Sequence, residues 1–296
     1  MSASDRAAAA RSWLFVPGDS EKKLAKGIGT AADILLIDLE DAVAESAKPA
    51  AREAAAAFLR ANQDQRDRLW VRINPLQGPH ALHDLAAIVA ARPGGVMLPK
   101  PRGRADVETL DHYLTALEVA AGDEPGRIAV IIVATETPQG MLATSDYEGA
   151  PRLAAMTWGA EDIATALGAI ANRRADGSYD FPYQLARTFC LVGAAAAGVP
   201  AIETIHGDFR DEAGLEAVAN DVRRAGFRGM LAIHPAQVDI INRAFTPSEQ
   251  EIATARQIVD LFAANPGAGT IGHKGEMLDL PHLNRAKAVL ARAGAS

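Results

Sequence analysis

Eight apolar runs rich in β-formers recur along the chain: WLFVP (13–17), ILLIDLE (34–40), LWVRIN (69–74), GVMLPK (95–100), IAVIIVATE (128–136), AAMTWG (154–159), VPAIET (199–204) and MLAIHP (230–235). Between most of them lie Ala- and Leu-rich segments with helical character, such as 48–61, 80–91 and 105–121. The runs are continuously apolar rather than alternating, as in a parallel sheet covered on both faces. Eight strand–helix units predict an α/β protein, a (β/α)8 or TIM barrel. A doubly wound open sheet is the alternative, but no G-x-G-x-x-G follows an early strand.

After the eighth run the pattern changes. Residues 236–264 are helical, NPGAGTIGHKGEM (265–277) is Gly-rich and expected to be mobile, and LDLPHLNRAKAVLARAG (278–294) reads as a short docking helix. The chain thus divides into a barrel, 1–235, and a helical extension, 236–296, expected to lie over the mouth of its own barrel or a neighbour's. No repeat of 20–50 residues is visible. Runs such as REAAAAF are compositional bias among good helix formers.

A chain of 296 residues suits one α/β barrel. With 49% apolar residues it can build a large core, and disorder is not expected. The net charge of −7 and the lack of a basic stripe argue against nucleic acid. One cysteine, Cys190, excludes disulfide frameworks and cysteine zinc sites, and its apolar helical flanks predict a buried, inert thiol. No apolar run is long enough to span a bilayer, and the first residues lack the apolar core of a secretory signal, so the expectation is a cytoplasmic protein.

Chemistry in such a barrel sits at the C-terminal ends of the strands. There the sequence places Asp38, Glu40 and Asp41 (run two), Arg72 and Asn74 (three), Lys100 (four), Glu136 (five), Glu161 and Asp162 (six) and His234 (eight). The plainer alternative, charges that only pair with one another, must be weighed against so many converging on one rim. Glu136 and Asp162 follow consecutive strands. Two carboxylates without Cys or a nearby His suit a hard cation such as Mg²⁺, which leaves positions open for substrate. The ion can then chelate an α-keto or α-hydroxy acid beside Glu136 and polarise it. Arg72 can grip a substrate carboxylate. Asp38, Glu40, Asp41 and Lys100 would orient these groups. For His234, structural hydrogen bonding is preferred over catalysis. His273 and His282 read as surface or docking residues.

The stretches RSWLFVPG (11–18), DLEDAV (38–43), VRIN (71–74), LPK (98–100), ETPQG (136–140), GAEDI (159–163) and AIHPAQV (232–238) stand in order. Together they resemble the HpcH/HpaI aldolase–citrate lyase family, and within it the CitE-like acyl-CoA lyases. The resemblance runs from about residue 11 to the end. It implies a TIM barrel with a C-terminal lid, assembled as trimers or hexamers. Glu136 and Asp162 then match the Mg²⁺ ligands, and Arg72 the arginine that holds the keto-acid part. Phe15, Lys26, Ile233 and His234 match positions that contact coenzyme A, and Arg11 is a further phosphate contact. EMLDLPH (276–282) resembles the lid motif, placing Asp279 as acid/base over a neighbouring subunit's site. The implied activity is Mg²⁺-dependent carbon–carbon cleavage or formation of malyl-, citramalyl- or citryl-CoA. Alternatives are a CoA-independent pyruvate aldolase, a citrate lyase β subunit needing an acyl carrier protein, and a pseudoenzyme that binds CoA esters.

Overall fold

All eight apolar runs form strands, and the strands close on themselves. The computed structural model describes residues 2–294; Met1 and the last two residues of the expected extension lie outside the described residues. The barrel strands are β1 (Ser12–Pro17), β2 (Ile34–Asp38), β3 (Leu69–Arg72), β4 (Gly95–Leu98), β5 (Ala129–Val133), β6 (Leu153–Thr157), β7 (Ala201–Glu203) and β8 (Gly229–Ala232). They pair in parallel in chain order, and β8 returns to β1. The fold is the (β/α)8 barrel. Most strands stop short of the apolar runs because the last residues of each run leave the ladder to build the mouth.

The pleat decides what enters that mouth. Alternate residues of a strand share a face. Ile34 and Leu36 of β2 join Trp13, Trp70, Met97, Ile131, Val133, Ile202 and Leu231 in one buried interior cluster. Continuing the same parity, Asp38 and its register partner Arg72 cap the apolar column at its C-terminal end. Lower down, Trp13 and Trp70 meet edge to face with centroids 5.1 Å apart. Gly95 makes room for them, since a Cβ there would lie 2.4 Å from the Trp70 ring. The helix Ala3–Ala9, closed by a Ser2–Asp5 capping box, adds Ala3 and Ala7 to the cluster from the N-terminal side.

The helices Lys48–Ala61, Ala81–Ile88 and Arg104–Ala120 occupy the three segments read as helical. Cys190 is buried in the helix Phe181–Ala196, and burial pushes its thiol pKa up. No helix among the described residues is long and apolar enough to cross a membrane.

The chain forms two compact units, one up to Asn242 and one from Arg243 onward, dividing inside the helix Ala236–Phe245. In the second unit the helix Glu249–Ala264 packs on the helix Leu280–Arg292. Between them, where a mobile stretch was expected, lies an antiparallel hairpin of β9 (Thr270–His273) and β10 (Glu276–Asp279). Its turn is Lys274–Gly275, with φ of 48° and 85°. Two consecutive positive φ angles give the hairpin turn that matches strand twist. The sparse apolar residues of 265–277 hid this strand pair from a reading based on composition.

Candidate active site

Most rim residues follow a strand end, and Asp162 comes from the helix after β6. Asp38 ends β2, and its carboxylate accepts the amides of Glu40 (2.9 Å) and Ala42 (3.1 Å), shaping the loop that follows. The same carboxylate accepts Arg72 Nε at 2.7 Å and Nη2 at 2.6 Å, a two-pronged pair. Arg72 Nη1 lies 3.0 Å from Glu40 Oε2 and 3.7 Å from Asp41, without hydrogen-bond alignment, so Glu40 Oε2 accepts no bond. The guanidinium rests 4.7 Å above the Phe15 ring. Burial opposes the charge on Arg72, but Asp38, Glu40 and Asp41 outweigh it and hold its pKa above the ordinary value. Arg72 thus stands among three carboxylates while also lining the cavity described below.

Lys100 ties the acids together. Its φ is 53°, a left-handed conformation uncommon outside glycine. That turn aims its amide at Glu136 Oε2, 2.8 Å away. Its ammonium contacts Glu40 Oε1 at 2.6 Å and Asp162 Oδ1 at 3.2 Å. Burial opposes the Lys100 charge, yet the hydrogen bond to Glu40 and the surrounding carboxylates raise its pKa. Strain of this kind, on the order of 1–3 kcal/mol, collects at functional sites.

Glu136 lies three residues beyond β5, just before Thr137 and Pro138 open the next helix. Thr137 Oγ1 accepts the Gly140 amide and caps the short helix Pro138–Leu142. Glu136 is buried, and its pKa is pushed up to about 8 by burial and by the nearby Glu40 and Asp162 carboxylates, against the pull of Lys100. Its Oε1 accepts no hydrogen bond among the described residues. Gly159, the N-cap of the helix Ala160–Ala166, lies against this side chain; a Cβ there would come 3.0 Å from Oε1 and 2.9 Å from Cγ. Asp162 stands in the first turn of that helix, where the dipole favours an acid.

Asp38, Asp41, Arg72, Glu136, Gly159 and Asp162 line a cavity of about 400 Å³ with Phe15, Trp158 and Ile233, while Glu40 and Lys100 are not part of its lining. A divalent ion is tested by the donor set. Glu136 offers a free oxygen in a cradle that only glycine leaves open, and Asp162 shares Lys100 with it. No group of three or more His, Cys, Asp or Glu among the described residues holds a metal by itself. The pair therefore fits an ion that takes its other ligands from water and substrate, as Mg²⁺ does. A second groove of about 300 Å³ is lined by Phe15, Lys23, Lys26, Ile233 and His234. It shares Phe15, Pro17 and Ile233 with the cavity, so the four residues expected at coenzyme A border one continuous surface. His234 stacks on Phe209 at 4.6 Å, and its Nδ1 accepts the Ala236 amide. It has the structural bonds expected of it and also lines the groove.

Arg11 precedes β1, where Asp33 takes its Nε at 2.9 Å and Nη2 at 3.0 Å, and it is not among the residues that line the groove. Asn74 turns away from the cavity and bonds Lys48, Asp84 and the Leu39 carbonyl. Asp279, in the second unit, caps the helix Leu280–Arg292, with His282 Nδ1 2.5 Å from its Oδ1. That hydrogen bond lowers the Asp279 pKa. A further acid, not expected from the sequence, stands at the end of β7. There buried Glu203 accepts Trp158 Nε1 and Arg187 Nε, bracing the tryptophan that walls the cavity. An acid closing the apolar run VPAIET was the available signal.

The chain is 36% identical over 287 residues to a citrate lyase subunit beta-like protein of Mycobacterium tuberculosis, covering 97% of each. It is 34% identical over 288 residues to a (3S)-malyl-CoA thioesterase of Cereibacter sphaeroides, covering 96% of this chain and 95% of that one. Among solved structures, CitE from M. tuberculosis in complex with magnesium, acetoacetate and coenzyme A superposes with a TM-score of 0.80 at 34% identity, over 97% of this chain and 99% of that one. The family profile described as HpcH/HpaI aldolase/citrate lyase matches residues 11–235. A closed eight-stranded parallel barrel with paired acids at its mouth, matched over nearly its whole length, belongs to the HpcH/HpaI aldolase/citrate lyase family.

Proposed function

We propose that this protein is a Mg²⁺-dependent carbon–carbon lyase that cleaves or forms a β-hydroxyacyl-CoA of the malyl, citramalyl or citryl type, releasing acetyl- or propionyl-CoA and a keto acid. One observation carries the reading: Glu136 and Asp162 share Lys100 in a cavity continuous with the groove that holds Phe15, Lys26, Ile233 and His234. The magnesium and coenzyme A bound by the M. tuberculosis relative support the same pairing of sites.

When bound, Mg²⁺ supplies Lewis acidity toward the oxygens of the oxo-acid half. Glu136 and Asp162 would hold it, and the Arg72 guanidinium, at the cavity wall, would stabilise the negative charge that develops as the C–C bond breaks. Phe15 and Ile233, on both surfaces, keep water from the thioester end. The proposed acid/base is Asp279. His282 favours its carboxylate form, which takes a proton from the α-carbon of the short acyl-CoA in the condensation direction and returns it in cleavage. The proposal includes a trimer or hexamer in which 276–282 serves a neighbour's site, testable by sedimentation and by mixing Asp279 and Glu136 variants.

The decisive experiment incubates the purified protein with Mg²⁺ and a panel of hydroxyacyl-CoA esters, following release of acetyl- or propionyl-CoA by mass spectrometry. Turnover that chelator abolishes and Mg²⁺ restores is the expected result. Cleavage of free 4-hydroxy-2-oxo acids alone identifies an aldolase. Turnover only on adding an acyl carrier protein identifies a citrate lyase subunit. Thioester hydrolysis without C–C cleavage, or activity indifferent to chelator, refutes the proposal.

A further inference from the structure

Lys48 lies outside the cavity, at the start of the helix Lys48–Ala61, yet it is 7% exposed. A cation there opposes the helix dipole. Helix stability alone therefore gives no reason for a buried lysine at this position. Its ammonium donates to the Leu39 carbonyl at 3.0 Å, the Glu40 carbonyl at 3.1 Å and Asn74 Oδ1 at 2.8 Å. Three donors meet three acceptors, and none is a carboxylate.

Two of those acceptors belong to the loop that connects the site's cationic grips. Leu39 and Glu40 lie beside Asp38, which clamps Arg72, and the Glu40 side chain meets both Lys100 and Arg72. Lys100 in turn holds Glu136 through its amide and Asp162 through its ammonium. The Leu39 carbonyl also accepts Asn74 Nδ2 at 2.8 Å, and the Leu39 amide donates to the Arg72 carbonyl at 3.0 Å. Asn74 is fixed from behind by fully buried Asp84, itself held by Arg52 Nε at 2.7 Å. The loop that aims Glu40 thus has its backbone pinned from behind chiefly by Lys48 and Asn74.

We infer that Lys48 is a positioning residue for the paired-acid site, setting the Glu40 carboxylate and, through Lys100, the spacing of Glu136 and Asp162. This rests on the functional reading above for its effect on turnover, but not for its effect on metal binding. Supporting partners of metal ligands typically change affinity or activity by about 10–100-fold.

The test compares wild type with Lys48→Met, which keeps the side chain's length without its donors. Mn²⁺ binding is titrated by electron paramagnetic resonance alongside kcat, KM and thermal melting. The expected result for folded Lys48→Met is Mn²⁺ affinity weakened by about 10-fold or more. Lyase kcat should fall by a similar factor, while KM for the CoA ester, set mainly by the adjoining groove, stays within about 3-fold. Mn²⁺ affinity within about 2-fold of wild type in a folded variant overturns the inference. If Lys48→Met does not fold, Lys48→Ala is titrated with n-propylammonium, which replaces the missing amine. Mn²⁺ binding that recovers saturably with the amine supports the assignment; refolding without it overturns it. A wild type that binds Mn²⁺ but shows no lyase turnover refutes the functional reading and leaves the metal titration to decide on Lys48.

Discussion

Replacing Gly159 by alanine adds one methyl group to the site's most crowded contact. Gly159 has φ −133° and ψ 133°, which alanine adopts without strain, so any effect comes from the side chain. Its Cβ would lie 2.9 Å from Glu136 Cγ and 3.0 Å from Oε1. Carbon atoms in contact prefer about 3.5–4.0 Å, so the neighbour must retreat by about 0.6 Å or more. Glu136 is poorly able to retreat. It is buried, and its Oε2 is tethered to the Lys100 amide at 2.8 Å. Overpacking of this kind costs about 1–3 kcal/mol. Here it falls on the carboxylate oxygen that would meet the metal, and 1.4 kcal/mol is about a factor of ten in affinity. Isothermal titration with Mg²⁺ should show binding weakened by about 5–100-fold in Gly159→Ala, with the melting temperature of the metal-free protein changed by only a few degrees. Unchanged Mg²⁺ affinity in the variant would mean that Glu136 is not a ligand, or that its cradle is soft.

Glu136 also sets a pH dependence. Its pKa rises from 4.5 to about 8 on folding, so the folded metal-free protein binds this proton more tightly than the unfolded chain. Its stabilising contribution is full below 4.5 and is lost as pH climbs toward 8. The melting temperature of metal-free protein should fall over that window, more steeply than in Glu136→Gln. Mg²⁺ needs the carboxylate, so its apparent affinity should rise with pH up to about 8 and level off, with proton release on binding; a flat pH profile contradicts this. Lys26→Ala should raise KM for CoA esters by about 3–10-fold with kcat preserved, as expected for loss of an exposed phosphate contact; an unaltered KM removes Lys26 from the groove's function. Asp279→Asn should lower kcat by at least about 100-fold while CoA-ester binding, measured by fluorescence titration, persists; loss of binding with retained single-turnover chemistry would reverse the roles given to the two units.

The eight-stranded barrel was legible because continuous apolar runs and helical spacers are local patterns. The signals after them are local too: Thr137 and Pro138 open a short helix and leave Glu136 just ahead of it, beside the cavity. Strand parity then brings Asp38 and Arg72 level with each other. The hairpin at 270–279 was missed because a two-residue turn with positive φ at both positions stabilised a segment too polar to read as strands. Tertiary structure alone decided the partnerships. Lys100 reaches Glu40 across 60 residues, Lys48 meets Asn74 across 26, and Glu203 braces Trp158 across 45. Side-chain identity announces a charge, but whether that charge grips substrate, holds another acid or supports a loop depends on distances of a few ångströms set by barrel closure, which no local pattern encodes.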